Sequence, residues 1–163
     1  MSCQSEEVRE PGLYRTTVAH PIAGDQIPAG RLVYVGNGQG GPFVVVPHYN
    51  EKNRWFWREP TVPLTDAAWA GSLTQLRPEG FYTLPETLDF DGGGRWLQNA
   101  IVQLGYDQSG QGILFVAERR DTYEDNALYF SDRGKRIEDT LLARLVWAPI
   151  LPVSEPSEGP TRH

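Results

Sequence analysis

Apolar and polar positions along this chain fall into one pattern that occurs twice. A first block opens at Gly12-Leu13-Tyr14 and continues through Leu32 to Val35, a glycine-rich turn, Phe43 to Val46, and the aromatic run Trp55-Phe56-Trp57. A second opens at Gly80-Phe81-Tyr82 and continues through Ile101 to Leu104, another glycine turn, Ile113 to Val116, and Leu128-Tyr129-Phe130. The blocks are offset by 68 positions at Gly12 and Gly80, by 69 at Leu32 and Ile101, by 73 at Trp55 and Leu128, and by 69 again at Leu73 and Leu142. Length changes confined to turns are what tandem duplication of a small β unit leaves behind, because turns tolerate insertions that strands do not. The expected fold is mainly β, with two pseudo-symmetric, SH3-like small β-barrel repeats over 11–79 and 80–153 and one or two short helices.

Local signals refine this outline. Leu13 to Val18 alternates so weakly that the two faces of a first strand barely differ. Pro21 and Gly24 break it. Gly36-Asn37-Gly38-Gln39-Gly40-Gly41 has the spacing of a dinucleotide fingerprint, but that motif requires a helix directly after the glycines. Pro42 to Val46 is β-branched, and the second block keeps a turn while losing the fingerprint, so both stretches read as hairpin connections. Thr65 or Asp66 caps a helical turn near 66–71 that Gly71 stops. Ile137, Leu141, Leu142 and Leu145 recur at helical spacing, predicting a helix near 136–145. Trp147 to Val153 reads as a closing strand, partnered with Gly12-Leu13-Tyr14 or Gly80-Phe81-Tyr82. Arg77-Pro78-Glu79 is the hinge between copies. Residues 1–10 are a polar, mobile lead-in and 154–163 a disordered tail.

Composition agrees with strands: five Trp, seven Tyr and six Phe stand against one Met, and 17 Gly and 13 Pro supply turns. A net charge of −6, with no basic run longer than two residues, disfavours nucleic acid as a partner. The lone Cys3 cannot close an intrachain disulfide, no run approaches the ~18 apolar residues of a membrane span, and no signal-peptide pattern opens the chain. The expected location is cytoplasmic.

Candidate chemistry is sparse. His20 and His48 lack Cys or carboxylates at ligand spacing, so they make a poor zinc signal, and the acidic clusters Asp89/Asp91 and Asp121/Glu124/Asp125 do not follow a calcium loop. No G-x-S-x-G is present. Nothing in the pattern calls for a cofactor or a metal. The tryptophan strand is more informative. Strand alternation puts Trp55 and Trp57 on one face and Phe56 with Arg54 and Arg58 on the other. Tyr49, Arg54, Trp55, Trp57 and Arg58 are therefore the candidate ligand-binding residues, an aromatic surface for a protein or peptide partner. If Trp55 and Trp57 are instead core, they serve stability.

Pro11-Gly12-Leu13-Tyr14-Arg15, Val44-Val45-Val46 and Trp57-Arg58-Glu59-Pro60 resemble a small bacterial domain family of unknown function, with the pattern Pro-Gly-x-Tyr-Arg, Val-Val-Tyr, Trp-x-Arg-Pro. Val46 replaces an aromatic there, and Glu59 is inserted before the proline. The resemblance covers about a third of the chain, implies a compact β-barrel-like unit, and carries over no catalytic residue. The leading expectation is a non-enzymatic interaction module, with homodimer formation open. The alternatives are a small hydrolase or transferase using His20 or His48 with a carboxylate such as Asp25, and a structural or assembly subunit.

Overall fold

The computed structural model describes residues 9–59, 61–92, 94–119, 128–130 and 133–149. They form a mainly β protein with two short helices. The first half contains β1 (Gly12–Arg15), β2 (Leu32–Gly38), β3 (Gly41–Val45), β4 (Pro47–Glu51), β5 (Arg54–Trp57), β6 (Val62–Pro63), α1 (Ala67–Ser72) and β7 (Thr74–Gln75). The second contains β8 (Gly80–Thr83), β9 (Leu88–Asp89), β10 (Arg95–Trp96), β11 (Ile101–Tyr106), β12 (Gly112–Arg119), β13 (Leu128–Phe130), β14 (Lys135–Arg136), α2 (Asp139–Arg144) and β15 (Val146–Trp147).

The first sheet runs β6-β3-β2-β1-β7, and the second runs β13-β12-β11-β8-β15 with β14 also on β12. Each first strand, β1 or β8, is thus flanked by a long strand and by the two-residue strand that follows a helix. Both paths are open, and among the described residues no barrel closes. Gly12 and Gly80 open β1 and β8 with φ of 151° and 150°, a conformation that favours glycine. Leu76 N–H donates to the Leu13 carbonyl at 3.0 Å and Ala148 N–H to the Phe81 carbonyl at 2.9 Å, at matching places in the two sheets. By helix position, Leu73 therefore corresponds to Leu145, since each is its helix's C-cap. The sequence offset does not return to 69 there.

The halves differ where β3 ends. Pro47 has no N–H to extend the ladder, so the chain leaves the sheet after Val45 and makes a separate ribbon of β4 and β5. Lys52 and Asn53, with φ of 51° and 63°, form its two-residue turn. β12 has no such interruption and runs on to pair with β13. The glycine stretch 36–41 is the end of the β2–β3 hairpin, in which Gly38 pairs with Gly41.

Asp66 Oδ1 accepts from Trp69 N–H at 2.8 Å and caps α1, as the sequence predicts; α2 is shorter than its 136–145 pattern. The closing strand takes the second of its two expected partners, β8. Its expected extension to Val153, the acidic cluster Asp121/Glu124/Asp125, and the 154–163 tail lie outside the described residues.

Two apolar cores result. The first is made of Tyr14, Val33, Val35, Val44, Trp69 and Leu73 with their neighbours, all from the first half. The second gathers Tyr82, Leu84, Val102, Leu104, Leu114 and Leu142, and also takes in Leu32 and Leu76, with Leu13, Trp55 and Trp57 packed against it. The first sheet is covered on both faces here. That explains why β1 alternates weakly and β2 reads as a continuous apolar run. Burying Leu32 and Leu76 fully in the second core contributes roughly 1.5–3 kcal/mol each to holding the halves together.

The lead-in is shorter than its composition suggests. Arg9 Nη2 donates to the Leu73 carbonyl at 2.6 Å with its guanidinium 4.9 Å from the Tyr14 ring centre, and the Tyr14 hydroxyl donates to the Glu10 carbonyl at 2.8 Å. Residues 9 and 10 therefore belong to the folded unit. Arg77 repeats the arrangement over Tyr82, 4.7 Å from its ring centre, and donates to the carbonyls of Leu142 and Leu145. The Tyr82 hydroxyl donates to the Pro78 carbonyl at 2.7 Å.

Candidate functional site

The β4–β5 ribbon leans across the junction of the two halves. Its alternation is as the sequence predicts, with Trp55 and Trp57 turned toward the second core and Arg54 and Phe56 on the opposite face. The Trp55 indole N–H donates to the Tyr106 carbonyl on β11 at 3.0 Å. Trp57 meets Tyr34 on β2 with ring centres 5.7 Å apart. Both tryptophans are half-buried, neither sunk in a core nor open to solvent.

The five residues singled out from sequence do not converge on one surface. Trp57 lines a cleft of about 410 Å³ with Leu13, Tyr34, Leu76, Pro78 and Glu79. Trp55 lines a second cleft of about 240 Å³ on the other side of Glu79, beside Asn53, Tyr106 and Phe115. Tyr49 and Arg54 lie on the outer face of the ribbon, where Tyr49 stacks on Phe56 at 4.6 Å and the Arg54 guanidinium sits 5.2 Å from the Phe56 ring centre. Arg58 is exposed and edges a third, smaller cavity beside Val46 and Val62.

Glu79 was not singled out from sequence, where it reads as part of a hinge. It borders both clefts, and its Oε1 is shut from solvent with no hydrogen-bond partner. Burial pushes its carboxyl up to about 7, against a smaller opposing pull from the Tyr106 backbone N–H. The neighbouring Tyr106 hydroxyl donates to the Arg77 carbonyl at 2.6 Å; burial raises its pKa, and the nearby Tyr82 and Glu79 add to the rise. No local sequence signal marks Glu79, because its isolation depends on the ribbon folding back over residues far away in the chain.

The histidines are placed apart from this junction. His20 is buried, its Nδ1 accepts the N–H groups of Ile22 and Ala23 at 3.1 and 2.9 Å, and its ring packs edge-on against Trp69 at 4.7 Å. That is the structural role of a loop histidine holding its own turn. His48 is exposed on β4 against Tyr49. Among the described residues neither forms an ion pair with a carboxylate, Asp25 is exposed, and no group of three His, Cys, Asp or Glu is arranged to hold a metal. No helix among the described residues is long and apolar enough to cross a membrane. No protein-family model, curated protein or solved structure matches the chain.

Proposed function

We propose that this chain is a non-enzymatic protein-interaction module built from two copies of one small β unit, related to SH3-like barrels but left open, with its binding surface on the aromatic ribbon of the first copy. The corresponding strand orders and the paired Arg-Tyr contacts support the duplication. The observation that carries the binding role is Trp57, which walls a cleft with Tyr34 instead of filling a core. A half-buried aromatic pair beside prolines and leucines offers an extended segment large contact area at small conformational cost. The Tyr49-Phe56-Arg54 stack on the ribbon's outer face is a separate aromatic surface, turned away from the Trp57 cleft.

A second reading is favoured by Glu79, since a carboxyl lifted to about 7 beside a cleft suits acid–base catalysis. Binding fits better. Apart from Glu79, Gln75 brings the main polar side chain of the larger cleft, and the rest of its lining is aromatic, aliphatic, proline and glycine. The polar groups that an acid–base reaction needs do not converge there.

The test is peptide display against the immobilised full chain, followed by affinity measurement of the enriched peptides on Trp57→Ala and Tyr49→Ala variants whose melting temperatures are recorded separately. Peptides that lose about tenfold or more in affinity on Trp57→Ala support the reading. Absence of enriched peptides, or binding indifferent to both substitutions, refutes it.

A further inference from the structure

Glu79 is poorly explained by folding alone. Its buried Oε1 has no partner, and an unsatisfied buried carboxyl is a cost that a glutamine forming one bond, or an apolar residue, would reduce. The cation closest in sequence is already taken: Arg77 is committed to the carbonyls of Leu142 and Leu145 and to the Tyr82 ring. Arg15, which crosses between the halves, is held by Asp139 through two hydrogen bonds of 3.1 and 2.6 Å. At the matching position of the first half, two residues after Arg9, stands Pro11. The carboxyl is therefore a feature of the junction and not of the β unit.

The larger cleft brings a particular chemistry up to Glu79, whose Oε1 lies toward Gly105 in the lining of the second cleft. Trp57 and Tyr34 form an aromatic corner, Leu13 and Leu76 add aliphatic wall, and Glu79 lies at the edge shared with the second cleft. An aromatic face attracts a cation, an aliphatic wall accepts a methylene stem, and a carboxylate completes the charge. A cleft of about 410 Å³ is within the usual size of a small-ligand site. The chain's net charge of −6 steers a basic segment toward it.

We infer that the cleft between Trp57 and Glu79 receives a lysine or arginine side chain of a partner protein, its stem against Trp57, Leu13 and Leu76 and its charged head on the Glu79 carboxylate. This rests on the interaction-module reading and specifies what that module recognises. The arriving cation pairs with the carboxylate at the edge the two clefts share, so specificity comes from a charge set beside an aromatic wall.

The experiment uses the full ¹⁵N-labelled chain and three capped pentapeptides that differ at the central residue: lysine, arginine or norleucine. The lysine and arginine peptides should shift the Trp57 indole and Glu79 amide resonances and bind roughly tenfold or more tightly than the norleucine peptide. Glu79→Gln, nearly isosteric and checked for an intact melt, should bring all three within about twofold of one another. Equal binding of the norleucine peptide to the unaltered chain overturns the inference, as does a lysine preference that survives Glu79→Gln, or shifts that map away from the cleft. Displayed peptides that depend on Trp57 without preferring basic residues overturn it while leaving the module standing. Displayed peptides that ignore both Trp57 and Tyr49 overturn both.

Discussion

The indole N–H of Trp55 donates to the main-chain carbonyl of Tyr106 at 3.0 Å, joining the ribbon of the first half to the central strand of the second. Trp55 is half-buried, so its truncation removes packing against the second core as well as this bond. Trp55→Ala is expected to lower unfolding stability by about 2–3 kcal/mol, below the cost of a fully buried tryptophan. Trp55→Phe, which keeps most of the ring and leaves the carbonyl unpaired, should cost about 1–2 kcal/mol. Urea denaturation of the two variants measures both values.

Glu79 predicts an unusual pH profile. Its folded pKa of about 7 lies above the ordinary 4.5, so between those values the folded state binds the extra proton. Stability from this group is full below about pH 4.5, is lost as pH rises to about 7, and changes little beyond. Allowing for partial exposure, the loss is on the order of 1–2 kcal/mol. Glu79→Gln should flatten this slope and melt higher than the unaltered chain at pH 8; thermal melts from pH 4 to pH 8 provide the check.

The paired arginines should contribute unequally. Arg77→Met leaves the Leu142 and Leu145 carbonyls without their donor and is expected to cost about 2 kcal/mol; Arg9→Met frees one carbonyl, that of Leu73, and should cost about 1 kcal/mol. Because the two contacts belong to different sheets, the double variant should sum the single losses to within about 0.5 kcal/mol. A large departure, read by chemical denaturation, would mean the halves are coupled more tightly than their separate cores suggest.

Arg15 and Asp139 make a two-toothed ion pair across the halves, with side-chain exposures of 22 % and 59 %. Water and salt screen such a pair. Asp139→Asn should cost about 0.5–1 kcal/mol at low ionic strength and almost nothing in 1 M salt. Melting temperatures of the variant and the unaltered chain in both conditions check this.

Much of the fold is legible in the pattern of apolar residues. The runs at Leu32, Phe43, Ile101 and Ile113 become strands because each buries a face, and Asp66 caps a helix because its side chain answers a free N–H. What escaped depends on distant approach. Arg9 sits in a polar run that resembles a loose end; its repeat in Arg77, three residues before the matching glycine, is the one signal that could have placed it. The two-faced burial of Leu13 and Leu32 required knowing that the second core reaches back to them. At the candidate site, alternation sorted Trp55 and Trp57 from Phe56, yet it could not say which face turns inward, nor that Glu79 would end up largely enclosed beside them.

The two cores are built on unequal terms. The first draws all its residues from 14–73, whereas the second includes Leu32 and Leu76 and packs against Leu13, Trp55 and Trp57. A chain emerging from the ribosome presents the self-sufficient half first, at about 5–20 residues per second, while the later half still lacks part of its sequence. The finished first half then offers a ready apolar template on which the second can condense. Reversing the order of the two halves in the gene would take that template away and leave the dependent half waiting, with its tyrosines and leucines uncovered, for a surface not yet made.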